Sequence, residues 1–155
     1  MKRRATFSGD GLYRYTLRRS WAKGPRLCFV MLNPSKADDQ IDDPTTRCCV
    51  RFAKSWGYGS LIAANLFAYI ATNPEELLQV EDPVGPDNDV YILRAHIGST
   101  DTVAAWGSHP AIDGRDAEVM RLLDHDLYYI DLTKYGAPRH PSRLARSLVM
   151  HPWFA

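Results

Sequence analysis

Four short apolar runs constrain this chain more than any other feature: Leu27–Leu32, Leu61–Leu66, Thr102–Trp106 and Leu127–Leu132. Each is continuous rather than alternating, so each reads as a strand buried on both faces. Helical patterns lie between them. After Pro44, the residues Cys49, Phe52, Ala53 and Trp56 fall on one helical face, with Asp43 suited to the N-cap and Gly57 to the stop. A second helix is expected over Asp87–Ile97, with Val90, Leu93 and Ile97 on one side, and a third over Arg115–Leu123. Asn73-Pro74-Glu75-Glu76 carries the start signal of a short helix, and Pro141 that of a final one running through Val149. Residues 3–21 read as a β-hairpin turning at Ser8-Gly9-Asp10-Gly11. The pattern predicts an α/β chain: a three-layer α/β/α sandwich with a four-stranded, mainly parallel sheet and an N-terminal hairpin beside it. With no linker, repeat or low-complexity tract, residues 1–155 are expected to form a single domain.

Right-handed crossovers place the C-terminal ends of parallel strands on one edge, where α/β proteins bind ligands. The stretch Leu27–Arg47 is the expected functional centre. There a buried strand delivers the polar turn Asn33-Pro34-Ser35, and a helix N-terminus with free N–H groups closes the loop. Asn65 sits near the end of the next strand. A buried amide left without a hydrogen bond costs about 1–3 kcal/mol, and its donor and acceptor can match a nucleobase edge. The competing reading has Asn65 tying down a neighbouring loop. His140, in the loop before Pro141-Ser142, would either donate to developing negative charge or brace its own loop. Asp38, Asp42 and Asp43 are candidates for polarising water or holding a ribose hydroxyl, Asp43 doubling as helix cap. Arg47 lies within reach of an anion at the helix start. Phe67 could stack on a planar ring, although it and Trp106 are also natural core residues.

Several function classes find no support. Glycine-rich phosphate loops and Walker-type lysine motifs are missing, Ser35 lacks a nucleophile-elbow context, and no histidine or cysteine spacing suits a metal. No cofactor and no metal ligand is therefore expected. Cys28, Cys48 and Cys49 suggest buried reduced thiols. No apolar stretch of membrane-spanning length occurs, and the basic N-terminus lacks a signal region, which points to a cytoplasmic protein without a membrane partner. The formal net charge of +1 conceals an uneven distribution. Basic residues crowd the first 26 positions and recur as Lys134, Arg139, Arg143 and Arg146, whereas the middle is acidic. Were both basic ends on one face, they would form a phosphate-binding surface.

The strand-end motifs, in this order, resemble the uracil-DNA glycosylase-like superfamily. Leu32-Asn33-Pro34-Ser35 is similar to its first motif, Leu61-Ile62-Ala63-Ala64-Asn65 to its uracil-reading strand, and Val103-Ala104-Ala105-Trp106-Gly107-Ser108 to its Trp-Gly-Ser strand. His140-Pro141-Ser142-Arg143-Leu144-Ala145 keeps four of six positions of its last motif. The resemblance implies that Asn65 reads the base edge, Asn33 positions water, His140 stabilises charge on the departing base, and Leu144, beside Ser142, acts as a minor-groove wedge. Ser35 stands where the uracil-specific branch has an aromatic residue, and Arg143 replaces a proline of the wedge loop. A closer similarity, covering nearly the whole chain, is to a bacterial and phage family of unknown function, DUF1643. It rests on Arg14-Tyr15-x-Leu17, Met31-Leu32-Asn33-Pro34-Ser35-x-Ala37-Asp38, Asp43-Pro44-Thr45-x-Arg47, Asn65-Leu66-Phe67-Ala68 and Trp106-Gly107.

The resulting expectation is a nucleobase- or nucleotide-recognising protein acting on nucleic acid or nucleotides, with hydrolysis of an N-glycosidic bond as its chemistry. The alternatives are a binding-only module that uses the same pocket and an interaction protein whose pocket is vestigial. The sequence does not specify an oligomeric state.

Overall fold

The computed structural model describes residues 1–154. Seven strands and three helices make up an α/β architecture. The elements are β1 (Lys2–Phe7), β2 (Arg14–Ser20), β3 (Arg26–Met31), α1 (Pro44–Ser55), β4 (Ser60–Asn65), α2 (Asn88–Ile97), β5 (Asp101–Ala104), α3 (Arg115–Leu122), β6 (Tyr128–Tyr129) and β7 (His151–Pro152). The strands form one mixed sheet in the order β1-β2-β4-β3-β5-β6-β7. The centre is parallel: β3 pairs with β4 and β5, and β5 with β6.

This corrects the expected four-stranded sheet. The N-terminal hairpin does not stand beside the sheet. Its second strand pairs antiparallel with β4, matching Leu17 with Ala63, and β7 adds an antiparallel edge strand at the far side. The apolar run at Leu127–Leu132 yields only a two-residue strand. Beyond it Leu132 bridges Pro138 and the Asp131 carbonyl accepts from Arg139 N–H, so the chain folds back on itself.

Two apolar clusters lie on opposite sides of the central strands. Phe29, Met31 and Ala63 join Cys49, Phe52 and Ala53 of α1. Val30, Ile62 and Ala64 join Ile92 and Ala95 of α2 and Val119 of α3. Alternate residues of each strand thus enter different clusters, which explains why the runs are apolar throughout. The expected face of α2 is corrected: Asn88, Ile92 and Ala95 are buried, whereas Val90 and Ile97 are exposed. The amide of Asn88 sets this rotation, because it reaches back to the end of β4.

The start of α1 follows its sequence signals. Asp43 Oδ1 accepts from Thr46 N–H at 2.8 Å, and Pro44 occupies the first turn. The helix expected from Pro141 to Val149 does not form. Arg143 has φ +66°, which a right-handed helix excludes, and the Cys48 thiol donates to the Pro141 carbonyl, pinning the segment to α1. Leu144, Leu148 and Met150 pack against the α1-side cluster instead. The Asn73 start signal gives a single 3₁₀ segment, Pro74–Leu78. Gly59 leads into β4 where a Cβ would lie 2.5 Å from the Ala22 carbonyl oxygen, so a side chain there requires the backbone to move.

Candidate functional site

The strand ends meet the start of α1 around a cavity of about 50 Å³. Met31 closes β3, and Asn33 and Ser35 follow it. Asn65 ends β4, Asp43, Thr45 and Thr46 open α1, Arg14 begins β2, and His140 descends from the loop after β6. At about 10–15 Å³ of such space per water, the cavity has room for roughly four waters. That suits a single ring or one small polar group.

Asn65 is rigidly presented. Its main-chain oxygen accepts from the Asn88 amide at 2.9 Å, and the neighbouring Leu66 N–H donates to the Met31 carbonyl. The Leu66 carbonyl accepts from both Asn88 and Arg115. The side chain is 1% exposed, yet its amide nitrogen has no hydrogen-bond partner. Buried polar groups are nearly always paired, so an orphaned donor beside a cavity marks a place for a ligand acceptor or water.

Arg14 supplies a second orphan. It is 4% exposed; one guanidinium nitrogen donates to the Ala37 carbonyl at 2.8 Å, while Nε has no partner. No carboxylate lies within ion-pair distance among the described residues. Burial lowers its pKa to about 10, with Asp43 and Asp38 acting in the opposite direction, so it remains cationic at neutral pH. A register shift explains how a strand arginine comes to face the cavity. Thr6 pairs with Thr16 and Phe7 with Arg14, leaving Tyr15 as an extra residue on β2. The bulge turns Tyr15 onto Tyr91 of α2, 4.7 Å between ring centres, and Arg14 towards the α1 side.

The remaining groups have defined polarity. Asn33 Nδ2 donates to the carbonyls of Ala71 (2.8 Å) and Pro34 (3.0 Å), which leaves its oxygen as an acceptor. His140 Nδ1 accepts from Ser142 N–H at 3.2 Å, so in the neutral ring the proton sits on Nε2. Burial lowers the His140 pKa below its ordinary value, and Asp43 partly offsets this, so the ring is neutral at pH 7. Asp43 spends one carboxylate oxygen on its helix cap.

The structure brings Asn33, Ser35, Asp43, Asn65 and His140 together, and leaves the other expected residues elsewhere. Asp38 braces its own loop by accepting from Gln40 and Ile41 N–H, which lowers its pKa. Arg47 is exposed and donates to the Asp42 carbonyl. Phe67 and Trp106 are core residues on the α2 side, Trp106 packing on Trp153. Ser142 and Leu144 line open grooves along α1 beside the cavity, with Arg51, Lys54, Arg143 and Arg146 on their walls. Sequence reasoning missed Arg14, Thr45 and Thr46 as lining groups. The available signal was Arg14 itself, a charge that begins a largely buried strand.

The loop over the cavity is held from below. Arg19, fully buried, donates to Asp42 Oδ1 at 2.7 Å and to the carbonyls of Asp38 and Ile41. Arg14 holds Ala37 in the same loop. Two arginines that the sequence places among the surface charges are therefore internal.

This frame of β2, β3, α1, β4 and the 140 loop lies within residues 14–142, the stretch that matches the family described as "Protein of unknown function (DUF1643)". The chain belongs to that family. No curated protein and no solved structure matches the chain. Among the described residues no cluster of three or more metal-ligating side chains occurs, and no helix is long and apolar enough to cross a membrane. All three cysteines are buried and free.

Proposed function

We propose that the strand-end cavity of this DUF1643 protein recognises a nucleobase or nucleotide, and that its chemistry is hydrolysis of an N-glycosidic bond. The uracil-DNA glycosylase-like arrangement inferred from the motifs belongs to this reading. The observation that carries it is the pair of buried, unpartnered donors, Asn65 Nδ2 and Arg14 Nε, beside one small cavity. A base offers ring nitrogens and carbonyl oxygens as acceptors, and the Asn65 carboxamide also carries an acceptor for a ring N–H.

The division of labour follows from polarity. Asn65 fixes the base edge. As the C1′–N bond breaks, the bonding pair leaves with the base, and its negative charge falls to the Arg14 cation and the His140 Nε2–H. Donors already fixed in place stabilise such charge without reorganisation. The Asn33 oxygen orients the attacking water, whose proton passes to the free carboxylate oxygen of Asp43. The groove along α1, with Arg51, Lys54, Arg143 and Arg146, suits the phosphates of a strand bearing the flipped base.

A second reading, a non-catalytic binding module, is favoured by one observation: Asp38 is committed to its loop and Asp43 to its cap. The experiment separating the two is a base-release assay on oligonucleotides carrying uracil, hypoxanthine, mismatched thymine or phage-type modified bases. Glycosidic hydrolysis predicts release from one of these substrates, abolished in Asn65→Ala. Binding without release from any of them assigns the module reading. Absence of both binding and release leaves the cavity vestigial in an interaction protein.

A further inference from the structure

The edge of the sheet opposite the strand-end cavity carries an unannounced cluster of cations. Lys2 and Arg4 of β1, Arg18 of β2 and Arg26 of β3 line a polar cleft of about 220 Å³. Strand register explains the convergence. Lys2 pairs with Ser20 and Arg4 with Arg18, while Ser20 and Arg26 each pair with Ser60. Directly paired residues point to the same face, so these side chains project together from neighbouring strands.

The four cations are uncompensated. None has a carboxylate within ion-pair distance among the described residues. Arg3, the residue between Lys2 and Arg4, provides the contrast: it points to the other face and pairs with Asp42 at 3.4 Å. Like charges facing one another without a counter-ion repel, and Arg18 records this. Its pKa is lowered by burial and then by the charges of Arg26 and Arg4. The Ser20 hydroxyl completes the lining. An arrangement of several N–H donors, a hydroxyl and no acid matches the oxygens of a phosphate group.

We propose that this cleft is a phosphate-binding site, separate from the strand-end cavity. Arg26 begins β3 and Met31 ends it, so the two sites lie about 17 Å apart at roughly 3.3 Å per residue. The two basic ends of the chain do not share a face: Lys2, Arg4, Arg18 and Arg26 line this cleft on the α2 side, and Arg143 and Arg146 line grooves on the α1 side. The bound phosphate belongs either to a small free anion or to a nucleic-acid backbone, and both present the same oxygens.

The test is calorimetric titration of the full chain with inorganic pyrophosphate and, separately, with a duplex oligonucleotide over a range of salt. The wild type is expected to bind at least one of them, and Arg18→Gln/Arg26→Gln to bind it about tenfold or more weakly. These two side chains reach solvent and repel one another, so the variant is expected to unfold at or above the wild-type denaturant midpoint. Asn65→Ala is expected to keep the affinity for pyrophosphate, which carries no base, and this separates the cleft from the proposed base pocket. Pyrophosphate binding alone identifies a small anion. Oligonucleotide binding, with a salt slope that falls by about one per removed contact, identifies a backbone. Binding of neither probe, or binding that Arg18→Gln/Arg26→Gln retains at wild-type affinity, overturns the proposal.

Discussion

The side-chain amide of Asn88 holds the main chain of Asn65: it donates to the carbonyl of Asn65 at 2.9 Å and to that of Leu66 at 3.1 Å, with Asn88 wholly buried at the start of α2. One residue on the far side of the sheet thereby fixes the strand end whose side chain faces the cavity. Asn88→Ala takes the side-chain donor from the Asn65 carbonyl and leaves the Leu66 carbonyl with Arg115 alone, and is expected to cost about 1–3 kcal/mol, read as a lowered urea midpoint. Ligand affinity is expected to fall with it, since Asn65 loses its fixed seat.

Arg19 and Asp42 form the internal clamp of the loop over the cavity. Arg19→Met leaves Asp42 with Arg3 alone at 3.4 Å and takes a donor from the carbonyls of Asp38 and Ile41, and about 1–3 kcal/mol of destabilisation is expected. Burial raises the Asp42 pKa, but hydrogen bonds from Arg19 and Arg3 outweigh it and leave it below 3.8. A depressed carboxylate stabilises the fold above its unfolded pKa, and that contribution is lost as pH falls through the folded value. Acid titration of stability is therefore expected to be shallower in Asp42→Asn than in the wild type, measured by denaturant midpoints between neutral pH and pH ~3.

Arg14 lines the strand-end cavity with an unpartnered Nε. It is a buried cation without a carboxylate partner. Arg14→Met keeps much of the volume and removes the charge but leaves the Ala37 carbonyl without its donor, so the two effects oppose and unfolding free energy is expected to change by no more than about 1–2 kcal/mol. Ligand binding at the strand-end cavity is expected to be lost in the same variant. A large fall in stability would instead make Arg14 a structural residue.

His140 is expected to be neutral, with its proton on Nε2, across the neutral range. Nitrogen-detected NMR of the imidazole reads both the tautomer and a pKa below 6.5. The folded chain resists a proton that the unfolded chain accepts, so His140 lowers stability as pH falls below 6.5. That component is expected to vanish in His140→Gln.

Continuous apolar runs disclosed β3, β4 and β5, because a strand buried on both faces has no other pattern. The Asp43-Pro44 start of α1 was equally legible, being a local cap. The turn residues Asn33 and Ser35 share a cavity with Asn65 because β3 and β4 are parallel neighbours, and His140 reaches it from the loop beyond β6, two strands from β3. What escaped the sequence is long-range. Pairing of β2 with β4 leaves no local mark, and a bulge opposite Thr6 and Phe7 decides where Arg14 points. Arg14 and Arg19 read as solvated charge until the loop that buries them is in place. The 141–149 segment has a helical start signal, but its contact with Cys48 and the left-handed Arg143 override it. Trp106 and Phe67 were taken into the core, where their size makes them worth more than at a rim.

Asn65 Nδ2 and Arg14 Nε are expected to face a nucleobase in the strand-end cavity. The direct measurement follows the side-chain nitrogen resonances of both residues by NMR while free uracil, hypoxanthine and other nucleobases are added. One base is expected to shift both resonances along the same saturation curve, and Asn65→Ala to abolish the Arg14 response. Resonances that stay fixed with every base, or move independently of one another, would contradict it.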